Sequence, residues 1–120
     1  MKNTYLQLAQ MVSGALVAVL LALHLTVQKL DVILAFFGAR ITDPIAWSSV
    51  MERAHQGLWV GIYICLLALG LFHALNGLRN ILLETNLAPS TMRVLTGLII
   101  AFGIIFLALG TDTPIYLLGK

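Results

Sequence analysis

Two histidines lie inside long uncharged stretches of this sequence, His24 between Asn3 and Gln28 and His73 between Ala54 and Leu78. An unpaired imidazole in hydrocarbon costs a few kcal/mol, roughly, so each needs a metal, a hydrogen-bond partner or a water-filled path. Neutral imidazole is the usual nitrogen ligand of heme iron, and a flat apolar macrocycle is a good guest between packed helices. At helical spacing His73, Asn76, Gly77, Asn80 and Glu84 share one face. Gly77, one turn from His73, and Gly70 on the other flank leave space where a porphyrin would press against the helix. Ser13 and His24 share a face as well, beside a ridge of Gly14, Ala18 and Ala22 suited to close helix packing.

The elements that must hold these residues follow from charge and hydropathy. The chain has 120 residues, 60% hydrophobic and 10% charged, with a mean hydropathy of +0.98. That is too apolar for a water-soluble domain of this size. The uncharged runs Asn3 to Gln28, Ala54 to Leu78 and Val94 to Thr111 contain 26, 25 and 18 residues, against about 20 for one bilayer crossing. The expected fold is therefore an all-α membrane protein, one domain over 1–120, with three transmembrane helices at about 6–30, 50–84 and 92–110. About half the chain then lies in lipid, which leaves no room for a soluble catalytic domain.

Local signals set the expected boundaries. The first helix should end near Gln28, Lys29 and Asp31, and its apolar stretch is too long for a cleaved signal. The connector from Leu30 to Ser49 reads as interfacial, with Asp43 before Pro44 as a possible helix start and Trp47 at headgroup level. Ser49 and Glu52 have capping-box spacing and would open the second helix. Ser90 or Thr91 would cap the third, and the run from Thr111 to Pro114 would stop it. Gly97 and Gly103 would let that helix pack closely.

Other features bound the function. Seven scattered Lys and Arg and a net charge of +2 form no basic cluster, which argues against nucleic acid. Cys65 stands alone in a span and reads as a small packing residue. Lys2, Arg79 and Arg93 on one side balance Lys29, Arg40, Arg53 and Lys120 on the other, so charge does not set the orientation. From Gln10, His24 is about 21 Å deep, while His73 is about 15 Å from the helix end near Leu83 at the same surface. Histidines at different levels point to two hemes rather than one shared iron. His55, 18 residues before His73, falls at the far interface, as a solvated helix-start residue or as a propionate or proton-relay group.

The segment His73-Ala74-Leu75-Asn76-Gly77-Leu78-Arg79-Asn80-Ile81-Leu82-Leu83-Glu84 has the spacing H-x3-G-x-R-x4-[D/E]. It resembles the second-helix signature of the cytochrome b membrane-anchor subunits of succinate dehydrogenase and fumarate reductase. Val12-Ser13-Gly14 and His24-Leu25 are similar to the first helix of those anchors, with His24 as in the diheme members. The resemblance implies half of a heme-binding helical bundle, in a prokaryotic cytoplasmic membrane. Two b hemes would each be shared with a second anchor polypeptide. Iron–sulfur clusters and FAD would be confined to an iron–sulfur subunit and a flavoprotein. His73 would ligate the heme nearer the iron–sulfur subunit and His24 the other, with Arg79 beside propionates or simply snorkelling at the interface. Quinone would be handled close to the end of the first helix, although Met11 stands where many members carry arginine; Gln7, Gln10, Ser13 and Glu84 cluster at one membrane surface and read as quinone hydrogen-bond partners or as interfacial caps.

The function implied is electron transfer between an iron–sulfur subunit and membrane quinone, with no dicarboxylate chemistry in this chain. Three rivals stand beside it: a cytochrome b subunit of another quinone-linked oxidoreductase, a small proton-conducting or transport protein using His24, His73 and Glu84, and a heme-free structural anchor.

Overall fold

The computed structural model describes residues 3–120, so Lys2, counted in the charge balance, lies outside the described residues. Five helices follow one another: α1 (Thr4–Gln28), α2 (Leu30–Phe36), α3 (Trp47–Ala54), α4 (Gly57–Leu83) and α5 (Pro89–Leu118). There is no strand among the described residues. Helices α1, α4 and α5, of 25, 27 and 30 residues, are long and apolar enough to cross a membrane. Asn3 opens α1 by accepting the Tyr5 N–H at 3.1 Å, a side-chain cap for an otherwise orphan donor.

The second expected helix is two. α3 ends at Ala54 with His55 as its C-cap, Gln56 is extended (φ −106°, ψ 116°), and α4 starts only at Gly57. The cause is polarity: Ser48, Ser49, Glu52 and Arg53 give α3 a water-seeking face that a spanning helix would carry into lipid. Ser49 is not the cap. It lies in the first turn of α3 and donates its hydroxyl to the Asp43 carbonyl at 2.9 Å, while Ala46 holds the cap position. Asp43 starts a turn instead of a helix, its carboxylate accepting from the Ile45 N–H at 3.0 Å. The Arg53 guanidinium donates to the carbonyl of buried Pro44 and ties α3 back to this turn.

The third helix is longer at both ends than expected. Pro89 occupies its first turn with Ala88 at the cap, because proline there gives up an N–H that has no helical partner anyway. Thr111 does not stop the helix, since its hydroxyl bonds back to the carbonyls of Leu107 (2.8 Å) and Ala108 (3.1 Å). Pro114 sits inside α5. It removes the one N–H that would reach Gly110, and the apolar residues Ile115 to Leu118 carry the helix on. The first helix stops at Gln28, two residues early, and Lys29 (φ −115°, ψ 17°) separates it from α2.

Helix α4 is the centre of the molecule. It packs on α1 along one side and α5 along the other, and α3 lies against α4 and α5. The backbones of α1 and α5 do not approach each other closely, so the three spans form an open layer of 58 × 33 × 20 Å rather than a closed bundle. Close approach of α5 relies on Gly103, where a β-carbon would lie 2.8 Å from Leu75 Cδ1, and on Gly110, which faces Leu67. Gly97, the other expected contact glycine, has nothing within 4 Å of where a β-carbon would stand.

Candidate functional site

The only buried polar side chain among the described residues is Ser13, 3% exposed. It belongs to a polar node between α1 and α4. The imidazole of His73 crosses to α1, where its Nδ1–H donates to the Gln10 carbonyl at 3.1 Å. A carbonyl only accepts, so the partner assigns the proton to Nδ1. The Ser13 hydroxyl donates to the same carbonyl at 3.0 Å and stands 3.4 Å from Nδ1. In return, Gln10 Nε2 donates to the backbone carbonyl of His73 at 2.9 Å, and Asn76 Nδ2 donates to Gln10 Oε1 at 2.8 Å. Two glycines make this possible. A β-carbon on Gly14 would lie 2.7 Å from His73 Cε1, and one on Gly77 would lie 3.0 Å from Gln10 Nε2. Gly77 therefore admits the Gln10 amide, where the spacing suggested clearance for a porphyrin. Gly70 has open space beside it.

His24 lies further along the same interface. Its Nε2 is 2.9 Å from Gln28 Nε2, one turn on, and its ring stands edge-on to Tyr63 with centroids 5.5 Å apart. Trp59 leans on Tyr63 at 6.3 Å. Tyr63 escaped sequence reading, though it precedes His73 by ten residues and follows Trp59 by four. Along α1 from Ser13 to His24 the rise is about 16 Å, and along α4 from Tyr63 to His73 about 15 Å. The levels thus differ by more than the several ångströms expected, because Gln10 packs at the height of His73 and Asn76 rather than opposite Leu83. One iron cannot bridge these two rings.

At the open end of the α1–α4 pair, Asn3, Leu6, Gln7, Arg79, Asn80, Leu83 and Glu84 line a cavity of about 550 Å³. Gln7 and Glu84 thus come together with Arg79, while Gln10 and Ser13 are engaged in the node and do not line it. Arg79 also reaches a second cleft of about 540 Å³ between α4 and α5, which includes Arg93. His55 is exposed at the end of α3, outside α4. Cys65 is exposed on α4.

Among the described residues no three His, Cys, Asp or Glu side chains converge to hold a bare metal ion. A porphyrin supplies the equatorial nitrogens itself and asks for one imidazole on each face. His73 fits that demand: Nδ1–H is held by a backbone carbonyl, the usual outer partner of a ligating histidine, and Nε2 keeps its lone pair. His24 fits only if Gln28 turns away from Nε2.

Fold and site define a class first: an integral membrane protein of three spanning helices, arranged as an open layer with a hydrogen-bonded histidine between two of them. Similarity to known proteins adds to this. Over 79 residues, 66% of this chain and 60% of the relative, it is 35% identical to the succinate dehydrogenase hydrophobic membrane anchor subunit of Archaeoglobus fulgidus. Over 86 residues, 71% of this chain and 63% of the relative, it is 29% identical to the subunit of the same name from Thermoplasma acidophilum. Succinate dehydrogenase membrane-anchor subunits are thus what the chain is similar to, the same likeness that its helix motifs carry. It spans less than two thirds of the length of these curated relatives. No family model and no solved structure matches it.

Proposed function

We propose that this chain is the membrane anchor and b-heme- and quinone-binding subunit of a succinate:quinone oxidoreductase in a prokaryotic cytoplasmic membrane. The observation that carries the reading is the His73 ring, with Nδ1–H held by the Gln10 carbonyl and Nε2 left to bind a metal, between two apolar helices. Bound b heme would supply a one-electron relay between an iron–sulfur subunit and membrane quinone. The chain's own residues bind and orient. His73 would hold the heme iron through a ring nitrogen near the Arg79 end, and Arg79 would offer a guanidinium to its propionates. His24 provides a nitrogen about 15 Å further across the membrane. Further ligands would come from a second anchor polypeptide.

Quinone is assigned to the end cavity. Gln7 and Asn80 have amide donors for a quinone carbonyl, and Glu84 has a carboxyl that can take or return a proton as the quinone is reduced or the quinol oxidised. Flavin and dicarboxylate chemistry belong to partner subunits on the face where this cavity opens.

Affinity purification of the intact complex through a tag on this chain tests the reading. It should bring a flavoprotein, an iron–sulfur protein and a second membrane polypeptide, with succinate-dependent reduction of a quinone analogue. A preparation without flavin would overturn it.

A further inference from the structure

Gln10 and His73 are related by a reciprocity that the redox reading leaves unused. Each sits four residues before a glycine of its own helix, Gly14 and Gly77. Each side chain crosses to the other helix, lies over the glycine there, and donates to the backbone carbonyl of the other residue. We propose that this Gln10–Gly14 and His73–Gly77 clasp is a positioning device that fixes the proton of His73 on Nδ1 and the azimuth of its ring, so that Nε2 alone is presented for ligation. Gln10 and Gly14 are then positioning residues for His73. The inference rests on His73 being an iron ligand for its purpose, but its geometry does not.

The parts divide the work. The Gln10 carbonyl, with two lone pairs, accepts from His73 Nδ1 and from Ser13, so the ring has an acceptor in only one orientation. A flip of the ring would place a C–H against that carbonyl and forfeit the bond. The Gln10 amide is held at both ends, by the His73 carbonyl and by Asn76, which fixes α1 against α4 at the register that brings the Gln10 carbonyl to Nδ1. Gly14 contributes absence: its missing β-carbon is the space that His73 Cε1 occupies. Orienting the ring before iron arrives removes rotamer and tautomer choices that would otherwise be lost on ligation.

The experiment is nitrogen-15 NMR of histidine-labelled full chain in lipid nanodiscs without heme, with the His73 signals identified by their loss in His73→Gln. The wild-type chain should show one neutral tautomer, protonated at Nδ1. Gly14→Ala should convert it to a mixture of tautomers. Ser13→Ala leaves the carbonyl and the cradle in place and should keep the Nδ1–H form, which separates loss of the clasp from general damage to the helix pair. In the assembled complex, Gly14→Ala should shift the low-temperature electron paramagnetic resonance of the oxidised heme while heme is retained. A wild-type ring protonated at Nε2, or a Gly14→Ala ring that stays wholly in the Nδ1–H form, would overturn the proposal. A complex lacking b-type absorption while the wild-type tautomer is as stated would reject the heme reading and leave the clasp standing.

Discussion

His73 would be an expensive residue if its ring were free, because an unsatisfied buried donor costs about 1–3 kcal/mol and lipid offers no water to relieve it. The Gln10 carbonyl removes that cost for Nδ1, and the remaining lone pair on Nε2 is the feature that a ligand must satisfy. Ser13→Ala should lower stability by about 1 kcal/mol, as one hydrogen bond is lost and Gln10 keeps its other donor; thermal unfolding in detergent followed by circular dichroism checks this. Gly77→Ala should cost more, about 1–3 kcal/mol, since its β-carbon would stand 3.0 Å from the Gln10 amide, tight enough to push it off the His73 carbonyl. A Gly77→Ala chain as stable as wild type would show that the clasp is looser than described.

At the scale of elements, the polar residues inside spans, the three spans themselves and the H-x3-G spacing were legible in the sequence, because lipid makes every exception to apolar composition visible. The roles of the glycines were not. Spacing puts Gly77 one turn from His73, but only the α1–α4 register reveals that Gln10 fills the space. Helix ends were misread for a related reason. Capping residues at Ser49 and Thr111 satisfy backbone carbonyls in other ways, and the break at Gln56 separates polar α3 from apolar α4. The proline inside α5 offers a test at this scale. Pro114→Ala restores an N–H for the Gly110 carbonyl and should slow hydrogen exchange in the last two turns of α5 by several-fold, measured by mass spectrometry. Unchanged exchange there would mean that Pro114 does not weaken that end.

As a whole molecule, the chain is an open layer about 20 Å thick along its shortest axis, and apart from Val60, Ser13 and Pro44 its described side chains keep some exposure. Such a layer has little interior of its own, so lipid or a second polypeptide must cover its faces. The proposal that each axial imidazole finds its counterpart on a second anchor follows from this shape, and predicts that the chain expressed alone binds far less b heme than when co-expressed with that partner. The rise of about 15 Å between His73 and His24 sets the spectral expectation: two independent sites, each sensitive to its own histidine.

Heme content and the reduced-minus-oxidised spectrum of the purified complex, wild type against His73→Ala, bear most directly on the central claim. The account predicts loss of one b-type component with the assembled subunits and the other component retained. A His73→Ala complex with unaltered heme content and spectrum would contradict it.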